Sequence, residues 1–232
     1  MRAGFIRGSN PAWRSTRRSA SLALGAFALA LAIGMPKMVE AQTRQQPGKT
    51  ASTASLNAAQ RDMLASINLT FNAIRTLYGK FTQFGPDGTR TDGEFFLERP
   101  GKIRFIYQRP SMLDIIADGR DIVVRDRKLA THDLFPLSQT PLRFLLADKI
   151  DLTSEANAQQ VSIEPDLVTV VVSQETMFGD GKLTLLFDRP NQDLKQWIVT
   201  DAQGLDTTVV IFDTTQNKGI DPKTFVIPQQ LR

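Results

Sequence analysis

The side chains that most often do chemistry are scarce in this sequence. Across 232 residues there is one histidine, His132, and no cysteine. Zinc ligand sets and Cys/His nucleophile pairs are therefore out of reach. His132 is followed by Asp133 and is expected in a solvated loop, as a surface histidine rather than a base or ligand. No Gly-x-Ser-x-Gly elbow occurs. Gly179-Asp180-Gly181-Lys182 has a faint likeness to a phosphate loop but lacks the spacing and the following Ser or Thr, and it reads as a hairpin turn. Asp118, Asp121, Asp126 and Asp133 fall at expected strand ends, where carboxylates solubilise. The sequence thus predicts no catalytic group, no metal site and no cofactor.

The chemistry on offer is apolar. In Phe95-Phe96-Leu97-Glu98-Arg99-Pro100-Gly101-Lys102-Ile103-Arg104-Phe105-Ile106-Tyr107, two runs flank an Arg-Pro-Gly-Lys turn. Phe95 and Leu97 alternate with Glu94, Phe96 and Glu98, and Ile103, Phe105 and Tyr107 alternate with Lys102, Arg104 and Gln108. Period-two alternation predicts a half-buried antiparallel pair. Carried along the chain, it assigns one face to Phe81, Phe95, Leu97, Ile103, Phe105, Leu113, Ile115, Leu183, Leu185, Phe187 and either Val209 or Phe212. Alternation says which side faces inward. It leaves open whether the inside is packed core or a cavity for a greasy ligand.

The elements that carry this face follow from local pattern. Met63, Leu64, Ile67, Phe71, Ile74 and Leu77 make a helical stripe within Leu56–Leu77, with Asn57 or Ser55 able to cap its start. Strands are expected at Tyr78–Phe84, Asp92–Glu98, Lys102–Gln108, Leu113–Ala117 and Asp121–Arg127. A second set is expected at Val161–Glu164, Leu167–Gln174, Lys182–Asp188, Lys195–Thr200, Asp206–Phe212 and near Phe225–Ile227. Gly, Pro, Asn and Asp clusters separate them. Between the two sets, Thr140-Pro141 opens a short apolar helix through Phe144, Leu145 and Leu146, with Thr140 as its cap. Short strands at such spacing predict an antiparallel meander, as a barrel or a strongly curled sheet.

The N-terminus reads as a secretory signal peptide over residues 1–41. Five arginines precede an apolar run from Leu22 to Ile33, and Val39-Glu40-Ala41 supplies small residues before cleavage at Gln42. Residues 42–54 read as a disordered lead and residues 55–232 as a single domain. The formal charge of +4 belongs to the leader: residues 42–232 keep 22 of the 28 basic and 23 of the 24 acidic residues, a net charge of −1. Nucleic-acid binding loses its electrostatic basis. With no cysteine to take a lipid anchor, release into the compartment beyond the inner membrane is expected.

Motifs in order over residues 60–228 resemble those of the LolA family, the periplasmic carriers of outer-membrane lipoproteins. They are Gly79-Lys80-Phe81-Thr82-Gln83, Gly93-x-Phe95-x-Leu97-x-Arg99-Pro100-Gly101-Lys102 and Arg104-Phe105-x-Tyr107 with Pro110. Ile116-x-Asp118-Gly119, Thr140-Pro141, Trp197-x-Val199-x-Asp201-x-x-Gly204 and Phe225-Val226-Ile227-Pro228 continue the series. The resemblance implies a mainly β fold with some α, an incomplete (open) antiparallel β-barrel covered by a helical lid, with acyl chains of a lipoprotein inside. It implies that Arg99 controls the lid through hydrogen bonds to the lid region. Phe81, Phe95, Leu97, Ile103, Phe105, Ile115, Leu183 and Leu185 are expected to line the cavity, with Phe144 and Leu145 in the cover.

It further implies a monomer in the periplasm, loaded with acylated lipoproteins by an inner-membrane ABC-type release complex (LolCDE-like) and unloaded at an outer-membrane acceptor (LolB-like). Two departures stand out. The longer C-terminal extension of some members is missing after Pro228, and Phe105 replaces a larger aromatic of some relatives. A carrier or sensor of free lipids or glycolipids on the same half-barrel is the alternative.

Overall fold

A computed structural model describes residues 56–154, 158–176 and 179–231. The expected signal peptide and all of the expected lead lie outside these residues, as does the candidate cap Ser55. Helix α1 spans Ala58–Asn72 and is capped by Asn57, whose side chain accepts from the Gln60 amide while Gln60 reaches back to the Asn57 amide. This reciprocal box satisfies two of the orphan donors at a helix start. The helix ends sooner than its apolar stripe suggests. Leu77 belongs to strand β1 and faces Leu97 across the sheet.

Eleven strands follow: β1 (Thr76–Phe84), β2 (Arg90–Glu98), β3 (Lys102–Tyr107), β4 (Leu113–Asp118), β5 (Asp121–Asp126), β6 (Thr131–Pro136), β7 (Ala158–Ile163), β8 (Leu167–Thr176), β9 (Gly179–Asp188), β10 (Leu194–Thr200) and β11 (Asp206–Gln216). They form one antiparallel sheet in the order β6-β5-β4-β3-β2-β1-β11-β10-β9-β8-β7. Two meanders are thus joined through the β1–β11 pair. The ends of the series, β6 and β7, do not pair with each other, so the sheet stays open. Register shifts in β1 (Tyr78/Lys80), β10 (Leu194/Gln196) and β7 (Ala158/Gln160) are the bulges that bend such a sheet.

Inward residues of nearly every strand join α1 and the short helix α2 (Leu142–Leu145) in one apolar cluster. Gly93 shows how tightly it is packed: a Cβ there would lie 2.6 Å from the Phe81 ring. A second, small cluster lies on the other side, where Ile227 and Leu231 cover Ile116 and Val123. This explains why β4 and β5 are buried on both faces. Beside it, Arg104 makes paired bonds of 3.0 Å to buried Asp114 and a third to the Thr224 carbonyl, tying the C-terminal segment to the sheet.

Four local expectations are corrected. His132 lies in strand β6 opposite Arg125, not in a loop. Five of the six residues of β6 are exposed, so this edge strand has no alternation to reveal it. Gly179-Asp180-Gly181 begins β9 and pairs with β8 rather than forming the turn. Phe225 ends a one-turn 3-10 helix (Pro222–Phe225) capped by Asp221, where a strand was expected. Thr140 does not cap α2; its hydroxyl donates back to the Leu137 carbonyl, and Pro141 holds the cap position.

Candidate functional site

The turn between β2 and β3 meets both helices. Arg99, 4% exposed, extends from the end of β2 beneath the cover. Its Nη1 donates to the Phe71 carbonyl at 2.7 Å, and its Nε donates to the Leu145 carbonyl at 3.2 Å. Phe71 is in the last turn of α1, and Leu145 is the last residue of α2. The Phe71 carbonyl otherwise accepts from the Ile74 amide at 3.3 Å, and both helix ends favour a cation. One guanidinium therefore terminates two helices. The Phe71 ring lies over it, 4.1 Å from centroid to guanidinium carbon. The neighbouring Gly101 amide donates to the Leu146 carbonyl at 2.8 Å, adding a second tie to α2. Gly101 has φ +79, and a Cβ would fall 2.6 Å from the Cα of Gly119, so the turn requires glycine.

Among the described residues no carboxylate pairs with Arg99. Burial pushes its pKa down to about 10, the nearby Arg75 charge adds to that, and Asp148 opposes it. The group remains charged at neutral pH. Removing such a cation from water costs several kcal/mol. Two charge-assisted bonds return about 1.5–3 kcal/mol each, and the aromatic face about 2 kcal/mol. The net hold that remains is about 2 kcal/mol. A contact so close to balance can hold a cover shut without locking it.

The cover has further polar ties. Asn68 and Asn72, one turn apart on α1, hold the segment after α2. Asn72 donates to the Ile150 carbonyl and accepts from the Ile150 amide, both at 2.8 Å, and Asn68 accepts from the Leu152 amide at 2.9 Å. On the other flank, Ser66 and Thr70 both donate to Gln192 in the β9–β10 turn.

Below Arg99 the described side chains pack closely. Beneath Arg99 and Leu145 an apolar pocket of about 10 Å³ remains, room for a single water at most. Its other walls are Phe71, Ile74, Leu77, Phe95, Leu97, Ile103, Leu194, Trp197 and Ile211. The rings interlock: Phe71 meets Phe187 edge-on at 5.6 Å, and Phe81 meets Phe105 at 5.1 Å. Pattern alone could not decide between core and cavity. The closed molecule fills the space with its own side chains.

The structure brings together most of the expected site residues. Phe95, Leu97, Ile103, Leu145 and Arg99 line the pocket. Phe81, Phe105, Ile115, Leu183 and Leu185 are buried in the same cluster without reaching it, and Phe144 is half-buried against that cluster. Pattern reading missed Phe71, Ile74, Leu77, Leu194, Trp197 and Ile211 as walls. Ile211 was legible, because it is two residues from Val209. Val209 faces inward, 3% exposed, while Phe212 is 41% exposed on the outer side.

Residues 72–228 match the family described as outer membrane lipoprotein carrier protein LolA. The chain belongs to the LolA family. Among named relatives, the outer-membrane lipoprotein carrier protein of Azotobacter vinelandii is 25% identical over 189 residues, covering 76% of this chain and 89% of that protein. The protein of the same name from Halorhodospira halophila is 29% identical over 180 residues, covering 74% and 84%. A crystal structure of a LolA superfamily protein from Nitrosomonas europaea overlaps 71% of this chain and 97% of that one, with 14% identity and a TM-score of 0.39. The open antiparallel sheet with its helical cover is the architecture expected of a LolA-family member. No described helix is long and apolar enough to cross a membrane. No three His, Asp or Glu side chains converge among the described residues.

Proposed function

We propose that this protein carries lipoproteins through the periplasm by shielding their acyl chains between the concave face and the helical cover. The observation that carries this reading is the latch: an apolar face closed by two helices whose ends share one buried, carboxylate-free arginine. A carrier gains from that arrangement a hold that its cargo can undo. Each exposed methylene costs about 0.8 kcal/mol, so a sixteen-carbon chain needs about 12 kcal/mol of shielding. Walls that supplied all of this would never release the cargo. If Phe71 and Leu145 must swing away to admit the chain, part of the binding energy offsets opening, and net affinity falls to a reversible level.

In this reading Arg99 stabilises the closed, empty form. Phe95, Leu97, Ile103 and Leu145 contact the chain first, and the deeper Phe81, Phe105, Ile115, Leu183 and Leu185 become available as the cover lifts. The names of the relatives support lipoproteins as cargo. An inner-membrane ATP-driven release complex would supply the energy of loading, and an outer-membrane acceptor would take the cargo.

Photo-crosslinking in living cells tests the proposal. Phe144, half-buried in the cover, tolerates a bulky crosslinker better than fully enclosed Phe105. Mass spectrometry of the adducts should find acylated lipoproteins. Free lipids alone would replace lipoprotein carriage by general lipid carriage, and no lipid adduct from a folded protein would refute a carrier role.

A further inference from the structure

Apart from Arg99 and Thr207, buried polar groups of the inner face gather along one cross-strand line. The strand registers set Trp197 opposite Val209, Val209 opposite Gln83, and Gln83 opposite Thr91, so the four lie side by side across β10, β11, β1 and β2. Gln83 is buried and accepts a bond of 2.6 Å from the Tyr107 hydroxyl. The two outer members differ. The indole Nε1 of Trp197 and the hydroxyl of Thr91 are shielded from solvent and have no hydrogen-bond partner among the described residues. Buried donors without acceptors are rare in folded proteins, and each one asks for a reason. Trp197 is 3% exposed and also forms part of the pocket wall below Arg99.

An indole offers one donor and no acceptor, so its missing partner must be an acceptor. A bare alkyl chain has none. An acyl chain has one, the carbonyl through which it is joined as an ester or amide. We propose that the Trp197 indole N–H recognises that carbonyl when the pocket is occupied, so that the site distinguishes acylated ligands from alkyl ligands of equal length. In the closed, empty form the donor is unpaired, and an incoming carbonyl relieves that cost. The carbonyl then fixes how deep the chain sits, because the hydrocarbon beyond it must run along the apolar face. This inference rests on the acyl-carrier reading above.

The test uses the full chain with two monomeric probes, palmitoyl lysophosphatidylcholine and its hexadecyl ether analogue. The ester should bind about fivefold more tightly than the ether, the worth of one ordinary hydrogen bond. In W197F that preference should fall to about one. Nuclear magnetic resonance gives a second readout on the unaltered chain. The Trp197 indole proton, identified by its loss in W197F, should move downfield with the ester and not with the ether. Equal binding of both probes with an unmoved indole proton would overturn the inference and leave the carrier reading standing. Binding of neither probe would remove the carrier reading, and the inference with it.

Discussion

Arg99 and Phe71 meet twice: Nη1 donates to the Phe71 carbonyl at 2.7 Å, and the guanidinium carbon lies 4.1 Å from the centroid of the Phe71 ring. Main chain and side chain of one α1 residue are therefore read by one cation. A shift at the end of α1 breaks both contacts together, along with the shared hold on α2. The cover should accordingly behave as two states rather than a continuum of positions.

Arg99→Leu should leave the sheet folded but slow the hand-over of cargo, because the closed form loses its latch. Two helix-end carbonyls lose their charged donor, and the net loosening should be about 2 kcal/mol. Amide exchange in α1 should quicken about 30-fold at that cost. Arg99→Lys keeps the charge without the fork that spans two carbonyls, and should fall between Leu and wild type. Unchanged transfer by the leucine variant would show that the latch has no part in release.

Asn72 makes both main-chain bonds to Ile150. In Asn72→Ala, the Ile150 amide and carbonyl are left to water or to nothing, at about 1–3 kcal/mol. Exchange should rise in α1 and around residues 148–152 together, with strands β1 and β11 unaffected. Faster exchange confined to one of those two segments would mean that they do not move as one cover.

On the outer side, Asp114→Ala strands Arg104 between the sheet and the C-terminal segment. Asp114 is 2% exposed, and removing one partner of such a pair costs about 3 kcal/mol. The melting temperature should fall, and trypsin should cut at Lys223 sooner than in wild type. A lowered melting temperature without earlier cleavage would separate stability from tail anchoring.

Tyr107 supplies a test by pH. Burial raises the pKa of its phenol. In the unfolded chain a tyrosine ionises at about 10. Above that pH the folded state holds the extra proton, so stability falls as pH rises and is intact below it. Tyrosinate absorbance from Tyr107 should therefore appear only with alkaline unfolding. Its appearance in a chain that is still folded would place Tyr107 nearer solvent. Tyr107→Phe should flatten this alkaline slope.

Much of the molecule was written locally. Alternation in β2 and β3 needs no distant information, since successive side chains of a strand must point to opposite faces. It therefore placed Phe95, Leu97, Ile103 and Phe105 inward, as observed, and Asn57, one of the two candidate caps, does cap α1. Where the local signal failed, a physical cause can be named. Strand β6 is exposed on an edge and needs no apolar face. Ile74 and Leu77 sit where helical and strand spacing coincide, so the end of α1 was invisible. Leu194 and Trp197 became pocket walls only through the β9–β10 and β10–β11 registers. The sequence by itself determined which side chains avoid water, because burial preference is a property of the residue and its immediate spacing. Only the tertiary structure decided that the space below Arg99 is closely filled by described side chains, and that Arg99 bonds two helix ends above it. Volume and helix-end geometry depend on how distant elements converge, and no short stretch of chain records that.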